Sequence, residues 1–219
     1  MLMPMYSSYN KPVVTGSFAS SGVSTADLST YTFSGVALGT AATNRHVVIA
    51  ANTGTASAAD ANSVTVGGVS ASLVVRASGG DNTRAELWIA SVPSGTTGDV
   101  VIVWSSAKDR CGYAAWAMYG ASASASDTAT DADTTPSQTI DIPAGGYLIA
   151  AQAGNGSGAA RTATWTGPSE NYDETMQDNF TQTGASDAYA AAQSGYTVAI
   201  NFSGSMSLSA MAVASFTPA

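Results

Sequence analysis

Brief β-branched and aromatic runs, each cut off by glycine, proline or a cluster of hydroxyl residues, follow one another along the chain. Inside them apolar residues recur at two-residue spacing, while helical spacing is weak throughout, so an all-β fold is expected. The sharpest signal is Val64-Thr65-Val66-Gly67-Gly68-Val69. Two glycines can supply the positive φ angles of a two-residue hairpin turn between alternating flanks. Beyond that turn Val69, Ala71, Leu73 and Val75 are expected to share one face. Further strands are expected at Tyr31–Leu38, His46–Ala50, Leu87–Ala90, Val100–Trp104 and Gly112–Tyr119. Later ones are expected at Gln138–Ile142, Tyr147–Gln152, Thr162–Trp165, Ala188–Ala192, Tyr196–Phe202 and Leu208–Phe216. Val100–Trp104 is apolar on both faces, which points to a strand covered on both sides. The best helix candidate is Asn171–Asn179, at most a turn or two long.

These runs predict about ten to twelve strands in a single two-sheet β-sandwich of the jelly-roll kind. Residues 1–30 read as an N-terminal arm, either an extended anchor or a first edge strand. Residues 31–219 read as the sandwich. A split near residue 125 into two smaller sandwiches is the alternative. The Ala/Ser/Asp/Thr segment 121–137 reads as a surface crossover.

Composition narrows the function. Of 219 residues 45% are hydrophobic, enough for a sizeable core, but only 10% are charged. Globular domains usually carry about 25%. The polar surface is therefore made of Ser, Thr, Asn and Gly, which suits a protein packed among other proteins. Seven basic against fifteen acidic residues give a net charge of −8, which disfavours nucleic acid. Beyond the residues just before Pro12 no basic amphipathic segment favours a membrane surface, and no apolar run approaches membrane-spanning length. The start, Met1-Leu2-Met3-Pro4-Met5, lacks the basic region of a signal peptide. Met1, Leu2, Met3, Met5 and Tyr6 are instead the candidate anchor, held by a neighbour because so apolar a start would fray alone.

Reactive chemistry is thinly represented. His46 is the only histidine and lies in a β-branched strand beside Arg45. A Ser-His-Asp triad would need it, but no Gly-x-Ser-x-Gly elbow is present. Cys111 is the single cysteine, so neither a disulfide within the chain nor a zinc site is expected. Glu170 with Glu174, or Glu86 with Asp81, are carboxylate pairs of the type that cleaves glycosides, without aromatic residues grouped around them in sequence. Asp127, Asp131 and Asp133 form an acidic loop that could hold calcium, though the EF-hand pattern fails. A polar crossover is the simpler reading, and neither metal nor cofactor is expected. Of the four tryptophans, Trp165 lies in the most polar setting. With Tyr172 and Tyr189 it is the candidate glycan-binding platform.

Several stretches resemble small β-sandwich virion structural proteins of tailed bacteriophages infecting alphaproteobacteria. They are Arg45-His46-Val47-Val48-Ile49-Ala50, Val64–Val69, Trp88–Thr96, Trp165-Thr166-Gly167 and Gly184–Ala188. The resemblance implies a non-enzymatic virion component, a capsid decoration or a tail or fibre part, without catalytic residues to carry over. The expected partners are other virion proteins, further copies of the chain in a trimer, and possible host surface glycan.

Overall fold

The computed structural model describes residues 12–54, 59–80 and 83–219. The candidate anchor Met1–Tyr6, like Asp81, lies outside them. Among the described residues there is no helix. In chain order the strands are β1 (Thr15–Ser24), β2 (Leu28–Ala37), β3 (Arg45–Gly54), β4 (Ala61–Val66), β5 (Val69–Ser70), β6 (Ser72–Gly79), β7 (Thr83–Ser91), β8 (Thr97–Lys108) and β9 (Cys111–Tyr119). After Gly120 come β10 (Ala121–Asp131), β11 (Ser137–Ile142), β12 (Gly146–Gly156), β13 (Ala163–Thr166), β14 (Glu170–Gln177), β15 (Phe180–Tyr189), β16 (Gln193–Phe202) and β17 (Met206–Pro218).

The expected all-β sandwich is present, and it occurs twice. The first half pairs an inner sheet, β1-β9-β3-β7-β6, with an outer sheet, β2-β8-β4-β5. The second half pairs an inner sheet, β10-β17-β12-β15-β14, with an outer sheet, β11-β16-β13. Renumbering β10–β13 as β1–β4 and β14–β17 as β6–β9 makes the two orders identical, apart from the two-residue β5. Each half thus has the strand order of a jelly roll, a two-sheet fold of two Greek keys. The chain changes halves at Gly120, whose φ of 68° favours glycine. The expected boundary near 125 lies a few residues inside β10.

Three apolar layers separate the four sheets. Val47, Ile49 and Ala51 of β3 point into the first sandwich, against Val100, Ile102 and Trp104 of β8. Val48 and Ala50 point the other way, into a central core shared by both halves. There Leu87, Ile89, Ala114 and Trp116 meet Ile149, Ala151, Ala212 and Phe216. Leu148, Ala150, Met211 and Val213 face Ile140, Val198 and Ile200 across the second sandwich. Each fully buried Val, Leu or Ile stabilises by roughly 1.5–3 kcal/mol. Small residues let the inner sheets approach closely. A Cβ on Gly79 would sit 2.1 Å from the Ser209 carbonyl oxygen of the other half.

Several expectations are corrected. Residues 121–131 are not a crossover but the edge strand β10, hydrogen-bonded to β17. Asn171–Asn179 is not helical: it spans most of β14 and the turn into β15, where Asp178 takes a φ of 51°. Burial of Tyr172 and Met176 at period-two and period-four offsets suits a strand as well as a helix. Ala188–Ala192 is not a strand of its own, because β15 ends at Tyr189. Of the arm 1–30, residues 15–24 take the second of the two expected forms, an edge strand paired with β9. The Gly67-Gly68 turn forms as expected, with φ of 57° and 79°. The shared face beyond it does not, because a bulge between Leu73 and Val75 turns the strand. The two-sided burial expected of Val100–Trp104 belongs instead to β3, β7, β9, β12 and β17, since Val101 and Val103 are half-buried on an outer sheet.

Candidate functional site

The aromatic trio does not assemble into a platform. Tyr172 is buried in the central core, stacked on Phe18 at 5.6 Å, and its hydroxyl accepts from Asn52 Nδ2. Burial raises its phenol well above the usual range. Trp165 lies half-buried against the second sandwich core and donates from Nε1 to Thr183 Oγ1 at 2.9 Å. Tyr189 lies at the far end of β15 from Thr183 and packs edge-on against Tyr196 at 5.0 Å. Residue type suggested three exposed rings. Pairing places one of them between the halves and uses the polar handles of the first two inside the protein.

Two of the three loop aspartates are committed to backbone. Asp127 accepts from the amides of Thr128 and Asp141, and Asp131 accepts from those of Asp133 and Ser137. Their oxygens serve as caps for the turn between β10 and β11, which explains the spacing that resembled a calcium loop. No group of three or more His, Cys, Asp or Glu among the described residues is placed to hold a metal. Glu174 accepts from Ser21 Oγ and, at 2.8 Å, from Gln182 Nε2, so it joins the halves. Glu170 is exposed; burial and the nearby Asp173 raise its carboxyl above the usual range.

His46 is half-buried, its Nδ1 makes no hydrogen bond, and burial lowers its pKa. A triad histidine needs that nitrogen held by a carboxylate. Arg45 beside it is fully buried and donates to the carbonyls of Gly39, Val92, Ser94 and Gly95, at 2.6–2.9 Å. It pins two loops together. Cys111 is sealed in the first sandwich, and burial pushes its thiol up to about 12, so the reactive thiolate is disfavoured.

Sequence reasoning passed over two features. The first is an ionic cluster built around a buried carboxylate in the first half. Glu86, fully buried, accepts from Arg76 Nε at 2.7 Å, from Trp88 Nε1 at 2.8 Å and from the Ala61 amide at 3.0 Å. Asp60 bridges Arg76 and Arg84 at 3.2 and 2.8 Å. The cluster ties the start of β4 to β6 and β7 and so locks outer to inner sheet.

The second is a groove of about 430 Å³ at one edge of the first sandwich, between β1 and β2. Val23, Leu28, Tyr31, Phe33 and Tyr113 line it together with Gly22, Ser24, Thr32 and Ser34, and no charged residue does. The Phe33 and Tyr113 rings lie 4.6 Å apart. Among the described residues β1 bonds only β9 and β2 only β8, so each has one edge without a described partner. The sequence held a hint here: Leu28–Ala37 and Thr15–Ser24 contain no charge at all. What arrangement these side chains offer is therefore a surface for packing, with backbone donors and acceptors along its rim. No protein-family model matches the chain, and neither a curated protein nor a solved structure does.

Proposed function

We propose that the protein is a structural component of a phage-like virion, held there by protein–protein packing and not by catalysis. One observation carries the reading. Two ten-residue edge strands, β1 and β2, lie side by side on one sandwich without a single charged residue. Proteins that stay monomeric guard such edges with lysine, proline or inward charge. Both strands carry a bulge against their inner neighbours, at Phe18–Ser20 and Phe33–Val36, but nothing repels an incoming strand. The charge-poor surface supports the same reading, because burying Ser and Thr between copies costs less side-chain entropy than burying Lys or Glu. Jelly rolls serve viral shells and lectins alike, which is fold-level analogy only. The lectin alternative loses its motivation once Trp165, Tyr172 and Tyr189 lie apart. The particle itself rests on the resemblance of the Arg45–Ala50, Val64–Val69 and Trp88–Thr96 stretches to virion proteins.

Quantitative mass spectrometry of purified particles tests the proposal. The expected result is a fixed copy number per particle that survives salt washing, high for a shell decoration and low for a tail part. Turnover of a host polysaccharide by the isolated monomer, or its absence from particles, would overturn it.

A further inference from the structure

We infer that a single water molecule is bound in the central core between the two halves, held by Asn52, Thr83 and Asn155. The inference is independent of the virion reading and concerns how the halves are joined. Three buried oxygens carry it. Asn52 Oδ1, Thr83 Oγ1 and Asn155 Oδ1 are closed to solvent and find no hydrogen-bond partner in the protein. Asn52 and Thr83 are wholly buried. Native proteins seldom leave a buried amide or hydroxyl unpaired, because its lost hydration is then not replaced. Each of the three belongs to the central layer. Asn52 follows Val48 and Ala50 at period two, Thr83 precedes Ala85 and Leu87, and Asn155 follows Ile149, Ala151 and Ala153.

Register brings them together. In the first inner sheet Thr83 of β7 stands between Gly54 of β3 and Gly79 of β6. In the second, Asn155 of β12 stands between Phe180 of β15 and Leu208 of β17. These flanks touch across the core. A Cβ on Gly54 would meet the Phe180 ring, and one on Gly79 would meet the carbonyl of Ser209, next to Leu208. Thr83 and Asn155, each held between touching flanks, therefore face one another. Asn52 precedes Gly54 by two residues on the same face. Its Nδ2 donates to Gln182 Oε1 at 3.0 Å and to the Tyr172 hydroxyl at 3.3 Å. Both acceptors lie on β14 and β15, so Oδ1 turns the other way, toward β7 and β12. Ala85, paired with Asn52, and Ala153, paired with Gln182, put only methyl groups beside it. Water matches this trio. It donates one hydrogen to each amide oxygen and accepts the Thr83 hydroxyl, the three bonds typical of a buried water. An alkali cation fits worse. The three oxygens are neutral, and Glu174, the carboxylate that reaches this layer, is engaged by Ser21 and Gln182. The joint is thus wet at this end and dry where Trp116, Ile149 and Phe216 pack.

A high-resolution crystal structure of the full-length protein tests the site without any substitution. The expected result is one density peak about 2.5–3.0 Å from each of the three oxygens. A direct hydrogen bond between Thr83 and Asn155, with nothing between them, would overturn the inference. So would a peak that strengthens when the crystal is soaked in rubidium chloride, since that marks a cation. In solution, magnetic relaxation dispersion of the solvent counts water molecules held longer than the protein takes to tumble. Thr83→Val keeps the outline of the side chain and removes the hydroxyl, so the count should fall by one. Thr83→Ser keeps the hydroxyl and should restore it. An equal count in the unaltered protein and in Thr83→Val would sink the assignment.

Discussion

At the residue scale, three buried titratable groups in the first sandwich set how stability depends on pH. Burial, reinforced by the nearby Arg84 charge, lowers Lys108 from 10.5 to about 8. Between those values the unfolded chain holds more protons than the folded one, so stability rises with pH by roughly 1.4 kcal/mol per unit. Burial raises Cys111 from 9.0 to about 12 and Tyr31 from 10.0 to about 12. There the folded chain holds more protons, so each contribution falls as pH climbs from its unfolded value. Stability should therefore rise from pH 8 to 9, level off to about 10, and fall beyond. Urea midpoints across that range measure it. Lys108→Met should remove the rise, and a flat or falling profile from 8 to 9 in the unaltered protein would contradict the argument. Gly79 gives a second residue-scale expectation. A Cβ there meets backbone of the opposite half, not a side chain that can rotate. Gly79→Ala should cost roughly 1–3 kcal/mol, visible as a lowered melting temperature.

At the scale of elements, the buried carboxylate of Glu86 joins β6, β7 and the start of β4. Glu86→Gln keeps the shape but leaves Arg76, 26% exposed, with Asp60 as its one remaining carboxylate partner beside the Ala61 carbonyl. The expected loss is roughly 2–3 kcal/mol, below that of a wholly buried pair because water reaches Arg76. Denaturant unfolding checks it, and a loss under about 0.5 kcal/mol, typical of surface changes, would make the cluster incidental. The edge strands call for the opposite pattern. Ser17 and Thr32 are exposed on β1 and β2. Ser17→Lys with Thr32→Lys should leave monomer stability within about 0.5 kcal/mol while reducing self-association, read by analytical ultracentrifugation. Unchanged association would show that these edges are not where copies meet.

At the scale of the whole molecule, the central core decides whether two jelly rolls behave as two units or one. Trp116 of the first half donates to Asn171 of the second at 2.8 Å, and Asn52 to Gln182 at 3.0 Å. With Ile89, Trp116, Ile149 and Phe216 packed in one layer, neither inner sheet has an alternative cover. Calorimetry should show a single cooperative transition, with equal van't Hoff and calorimetric enthalpies. Two resolved transitions would mean that the halves are coupled only by their linker at Gly120.

Much of the fold was legible. The turn at Gly67-Gly68 and the β-branched run His46–Ala50 are local: they depend on φ preferences and on β-branched side chains within a few residues. The class of fold followed from them. The strand β10 was hidden because alternating Ala and Ser carry almost no strand preference, and only hydrogen bonds to β17, at the far end of the chain, make it one. The doubling was hidden for a related reason. Val100 and Ile102 of β8 line the first sandwich as Val198 and Ile200 of β16 line the second, but so short an alternating match is common to any half-buried strand and announces no repeat. Of the candidate site, the apolar character of residues 1–6 and the uncharged edges could be read directly. The fate of Tyr172 could not. A period of two announces that a strand has two faces, but what covers each face is set by partners distant in the chain, and only tertiary pairing supplies them.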